Sequence, residues 1–153
     1  MNNKWTKGPS LNIDRAYHSC FYDRKSNSIY VVGGETKQGS PFGKLLNTAE
    51  KWDLDSNVWK KIDSLPTNRG TGVYVSAAVA SNSRNFIGFL SGGLTGYGMD
   101  FSYVIYGLRR KDEKWIYMPR SKNLRVGRYD HSMVNLAADE KPFTSYCAFP
   151  SWE

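Results

Sequence analysis

The side chains best suited to chemistry are two histidines and two cysteines: His18, His131, Cys20 and Cys147. Cys20 lies two residues beyond His18, which on a strand puts both on one face, within reach of nucleophile–base chemistry. No Gly-x-Ser-x-Gly elbow supports a hydrolase. The glycine pairs Gly33-Gly34 and Gly92-Gly93 lack the Gly-Lys-Ser/Thr ending and following helix of a phosphate loop. The two cysteines match no zinc spacing, and no His-x-x-x-His occurs. No catalytic residue, metal or cofactor is expected. Both cysteines are expected to be free and buried, in a reducing, cytoplasmic setting, and the lack of an Asn-X-Ser/Thr acceptor agrees.

The second kind of chemistry is electrostatic. The chain has 153 residues and a net charge of +7, placed unevenly. Arg109, Arg110, Lys111, Lys114, Arg120, Lys122, Arg125 and Arg128 are opposed within their own segment only by Asp112 and Glu113. Such a segment is either a solvated loop or an attractor of acidic partners. The length fits one domain. At 40% hydrophobic and 14% aromatic, the chain has enough apolar surface for a core. No apolar run approaches the ~20 residues of a membrane span, and the N-terminus has no continuous apolar stretch of the signal-peptide kind. Neither nucleic acid nor membrane is an expected partner.

Positioning falls to short β-strands. Ser28-Ile29-Tyr30-Val31-Val32 is apolar on both faces and runs into Gly33-Gly34, which reads as a strand buried on both sides. Phe86 to Leu90 runs into Gly92-Gly93 in the same way. Further strands are expected at Trp5–Leu11, Arg15–Tyr22, Thr48–Leu54, Val58–Ile62, Val73–Ala80, Ser102–Leu108, Trp115–Met118 and Phe143–Phe149. Polar turns separate them, a long loop spans Glu35–Leu46, and no helical stripe appears. Landmarks recur: Trp5, Trp59 and Trp115 lie 54 and 56 residues apart, and Gly33 and Gly92 lie 59 apart. Four strands per repeat of fifty-odd residues point to propeller blades rather than a helical solenoid.

In these residues the chain resembles the kelch family. Its marks are the glycine doublets, the seven-residue spacing from Trp52 to Trp59 and from Leu108 to Trp115, and the Arg-x-x-His openings at Arg15–His18 and Arg128–His131. Arg69 keeps the arginine, with Gly72 in the histidine's place. The resemblance implies an all-β fold of four-stranded antiparallel blades forming an incomplete kelch-type propeller ring. It divides the chain, one repeat region over 1–153, into a strand at 5–11, a blade at 15–66, a blade at 69–119 and a partial blade at 128–149. Two copies, or the rest of a longer chain, would complete the ring. The doublet glycines and the tryptophans are expected to be structural.

The function implied is protein binding, as a scaffold or adaptor without catalysis. With no helical adaptor domain in these residues, a ubiquitin-ligase role would need a longer parent. The alternative is an enzymatic or sugar-binding propeller, like the family's oxidase and epimerase members. Candidate partner-binding residues, for a partner that is a protein and acidic, are Arg15, Tyr17, Arg69, Tyr97, Arg120, Arg125, Arg128 and Tyr129. Arginine and tyrosine are enriched at protein interfaces, while packing between blades and structural hydrogen bonds are the competing roles.

Overall fold

The computed structural model describes residues 4–38, 43–66, 73–74, 76–95 and 100–134. Arg69, Tyr97, Cys147 and the strand expected at Phe143–Phe149 lie outside them. Two four-stranded antiparallel sheets form. Blade 1 contains β1 (Ser19–Asp23), β2 (Ser28–Val32), β5 (Ala49–Asp53) and β6 (Val58–Ile62), paired in that order. Blade 2 contains β8 (Ala77–Ala80), β9 (Phe86–Ser91), β12 (Ile105–Arg109) and β13 (Trp115–Tyr117) in the same order. The loop from Glu35 to Leu46 is not featureless: β3 (Glu35–Thr36) and β4 (Lys44–Leu45) pair within it. In blade 2 the counterpart is β10 (Leu94–Thr95) with β11 (Asp100–Phe101), joined by β7 (Val73–Tyr74). One 3-10 turn, Arg120–Lys122, is the only helical element among the described residues. The fold is therefore all-β blades, and among the described residues they close no barrel.

Strand pairing sets the repeat residue by residue. Ser19 and Val32 pair as Ala77 and Ser91 do, and Trp52 pairs with Trp59 as Leu108 does with Trp115. Each blade thus has a front face, turned to the following blade, and a rear face, turned to the preceding one. The front of blade 1 meets the rear of blade 2 in one apolar seam. Phe21 stacks on Tyr30 at 5.2 Å and meets the Trp115 edge at 6.5 Å. Gly88 is needed there, because a Cβ on it would sit 2.6 Å from the Phe21 ring. Val32, Leu90, Leu108 and Ile87 complete this core.

The doublets act as sockets. Gly33 and Gly34 have φ of +70° and +87°, and Gly92 and Gly93 of +61° and +95°, a region that L side chains disfavour. A Cβ on Gly33 would overlap the Val73 carbonyl oxygen, and one on Gly92 would overlap that of Arg128. The Gly34 and Gly93 amides donate to those same two oxygens, each at 2.8 Å. Each doublet therefore receives the opening backbone of the next repeat.

Three expectations need correction. Lys4–Leu11 forms no strand; it lies as a strap on the rear of blade 1, with Gly8 against the Trp52 ring and the Pro9 carbonyl accepting from Trp59 Nε1 at 3.0 Å. A strand needs a neighbouring strand to bond to, and none reaches the strap among the described residues. Trp59 and Trp115 hold matching register positions, but only Trp115 is core, at 3% exposure. Trp59 is half-buried, and among the described residues no sheet lies on the rear of blade 1. Cys20 is exposed on that same face rather than buried.

Candidate functional site

Consecutive antiparallel strands place turns alternately at the two edges of a blade. The tight turns 24–27, 54–57, 81–85 and 110–114 share one edge. The inter-blade openings and the loops carrying the small hairpins share the other. All six described candidates, Arg15, Tyr17, Arg120, Arg125, Arg128 and Tyr129, belong to segments at that second edge.

They do not all face solvent. The Arg15 and Glu50 side chains are 0% exposed and lie 2.7 Å apart. Arg15 also donates to the carbonyls of Gly33 and Thr48, at 2.9 and 3.1 Å. Burial pushes the Glu50 carboxyl up, yet hydrogen bonds from Arg15 and Asn12 outweigh it and hold the group below its ordinary range. This arginine ties the blade's opening to its third strand. Its counterpart in the second repeat is Val73, not Arg69, since Val73 takes the Arg15 position before the inner strand. The acid is replaced as well, because Tyr106 holds the Glu50 position. Cation and carboxylate are thus both absent where either alone would be a buried, unpaired charge.

Tyr17 is 60% exposed and has φ of +55°, a costly conformation for an aromatic residue. Asp130, its counterpart in the third repeat, has φ of +51°. Arg120 and Arg125 are exposed, and Arg128 is half-buried. Tyr129 stacks on Phe101 at 5.2 Å with 12° between the ring planes. Phe101, Tyr103 and Val126 are exposed beside these residues and were not among the sequence candidates. Of these, Tyr103 falls in the strand expected to run unbroken from Ser102 to Leu108. Instead the backbone of Ser102 and Tyr103 bonds the linker: Arg128 N donates to Ser102 O at 3.1 Å and Leu124 N to Tyr103 O at 2.9 Å. The linker takes the hydrogen bonds of a strand, so the rings turn outward. Alternating aromatics at Phe101 and Tyr103 were the available signal.

The basic segment divides in two. Arg110 makes a two-pronged bond to Asp23 of blade 1, at 2.9 and 3.1 Å. Glu113 takes Lys51 at 2.7 Å and the Tyr30 hydroxyl at 3.0 Å. Arg109 pairs with Asp112. Arg120, Lys122 and Arg125 are exposed with no ion pair among the described residues. Arg110 and Glu113 weld the seam, Arg109 pairs within its own turn, and the exposed group forms a basic, aromatic-studded surface.

A cavity of about 230 Å³ opens where the inner strands converge, at Ser19 and Cys20, Ser76 to Ala78, and His131 to Met133. His131 Nε2 lies 2.8 Å from Ser91 Oγ, but Ser91 is 1% exposed, so no substrate reaches that hydroxyl. Burial and the Arg128 charge lower the His131 pKa. No group of three His, Cys, Asp or Glu side chains suited to a metal occurs among the described residues. No described helix is long and apolar enough to cross a membrane.

Residues 26–66 match the family described as Kelch motif. The chain is similar to human Kelch-like protein 28, 33% identical over 82 residues, which are 50% of this chain and 14% of that protein.

Proposed function

We propose that this kelch-repeat chain binds a protein partner through the hairpin-and-linker edge of its blades, and that the partner's contacting segment is acidic. The observation that supports this reading is the juxtaposition of Arg120, Lys122 and Arg125 with exposed Phe101, Tyr103, Val126 and Tyr129 on one stretch of that edge. Aromatic anchors with a cationic rim suit protein recognition. Tyr17 belongs to the same edge, and Arg15 supports it from beneath. The role is that of a scaffold or adaptor without catalysis.

The test is fluorescence anisotropy with a labelled peptide rich in Asp and Glu around one aliphatic residue, against a control with the acids changed to Ser. Binding should favour the acidic peptide, weaken as salt shortens the Debye length below ~8 Å, and fall sharply in Arg120→Glu/Arg125→Glu. Equal, salt-independent affinity for both peptides rejects the proposal.

A further inference from the structure

The two glycine sockets hold their neighbours with the same backbone bonds and differ in the side chain that closes them. The Val73 carbonyl sits over Gly33 and that of Arg128 over Gly92. Three residues further on, the openings carry Ser76 and His131. In the first socket Ser76 Oγ lies 2.8 Å from Ser19 Oγ, and Val32 precedes the doublet. In the second, Ser91 holds the Val32 position, and His131 Nε2 lies 2.8 Å from its hydroxyl. The ring sits so close that a Cβ on Gly92 would stand 2.6 Å from its Cε1 atom. Only the second socket is closed by a group that titrates near neutral pH.

The surroundings suit a neutral ring. Ser91 Oγ donates to Met133 Sδ at 2.9 Å, which uses its one proton. Nε2 therefore carries the hydrogen and donates to Ser91, and Nδ1 keeps a lone pair. Nδ1 is buried and has no hydrogen-bond partner among the described residues. A second proton would put an N–H and a positive charge where nothing accepts them, leaving a buried donor unsatisfied and a charge desolvated. Burial and then the Arg128 charge oppose that protonation, and Asp130 favours it. Both charges lie on the histidine's own segment. Ser91 and Gly92 carry none, and of the residues from β1 and β8 that line the adjoining cavity only Cys20 is titratable.

We infer that His131 is an acid-operated latch: a proton on its ring releases the opening of the third repeat, Arg128 to Met133, from the socket of blade 2. The first socket, closed by Ser76, stays shut. Tyr129 leaves Phe101 when the opening is released, so acid takes apart the aromatic portion of the edge. That consequence rests on the binding role proposed above, whereas the latch is read on the chain alone and stands or falls without any peptide.

Amide exchange of the full chain tests it, followed residue by residue by NMR and corrected for the intrinsic pH dependence of exchange. The Gly93 amide donates to the Arg128 carbonyl and reports the second socket; the Gly34 amide donates to that of Val73 and reports the first. Between about pH 7.5 and about pH 5, Gly93 protection should fall several-fold and by no more than about thirtyfold, the limit set by an undocked histidine at ~6.5. Gly34 protection should hold. His131→Gln keeps a donor for Ser91 but cannot titrate, and should abolish the acid response. His18→Gln, beside Gly34, should leave it intact. Equal loss at both glycines, no loss at Gly93, or an undiminished response in His131→Gln overturns the latch. If the glutamine variant leaves Gly93 unprotected at both pH values, the imidazole resonances of the unmodified chain decide. A His131 midpoint below ~6.5 supports the latch, and one at or above it overturns it.

Discussion

Arg109 and Arg110 are neighbours in one charged turn, yet the fold gives them opposite weights. Asp23 is 3% exposed at its side chain and Arg110 23%, whereas Arg109 and Asp112 are 32% and 28% exposed. Removing one partner of a buried pair costs about 3–5 kcal/mol, because the other charge is left without compensation. Asp23 retains the Ser26 backbone amide and hydroxyl, and Arg110 is partly hydrated, so Arg110→Met should cost about 2–3 kcal/mol. Arg109→Met removes an exposed pair and should cost at most about 1 kcal/mol. Urea unfolding followed by far-UV circular dichroism separates the two. Burial raises the Asp23 pKa, but the hydrogen bonds from Arg110 and Ser26 outweigh it, and the net shift is downward. The pair's contribution is therefore fully present above the unfolded carboxylate value of ~3.9 and is lost as pH falls through the lower folded value. The Arg110→Met deficit should shrink over that window. Equal costs for the two arginine variants, or a deficit indifferent to acid, would refute the assignment of Arg110 as the seam's weld.

Trp115→Ala should cost about 3–5 kcal/mol and Trp59→Ala clearly less, measured by the same denaturation; equal losses would mean that the rear of blade 1 is covered. Gly33→Ala should destabilise more than Gly8→Ala, because only Gly33 combines positive φ with a Cβ that overlaps backbone; thermal melts check the order. His18 and His131 both have lowered pKa values, chiefly from burial. Their contribution to stability is present above the unfolded value of ~6.5 and lost as pH falls through the folded values. The melting temperature should therefore decline below about pH 6.5, and less so in His131→Gln. Cys20, free and exposed, should react with a thiol reagent in the folded chain; protection of its thiol until the chain unfolds would count against that exposure.

Much of the fold was legible because its determinants are backbone requirements. The doublets Gly33-Gly34 and Gly92-Gly93 show where the chain needs positive φ and an empty Cβ position, and no distant residue is needed to interpret them. Val58–Ile62 appears as expected, and the runs Ile29–Val32 and Phe86–Leu90 fall within observed strands for the same local reason. Pairings across the sheet were less visible. Arg15 reads as a surface candidate until strand register brings Glu50 under it. The second opening was placed at Arg69 because arginine looks like arginine, whereas the hydrogen bonds to Gly34 and Leu46 belong to Val73. Cys20 and Trp59 are ordinary core types left partly open by what is absent beside them, and a single repeat cannot show that. Tyr103 was hidden within an expected strand, and the linker's hydrogen bond to its carbonyl takes the place of a strand partner there.

The glycine sockets also separate pitch from spacing. A neighbour's carbonyl oxygen seats at a fixed point above each doublet, so the angle between blades is set at that contact and not by the length of chain that leads to it. The landmarks can then drift, as the 56-residue interval from Trp59 to Trp115 and the 59-residue interval from Gly33 to Gly92 do, without altering that contact. Connectors between repeats can accordingly differ in length while the carbonyl still seats at the same point above the doublet.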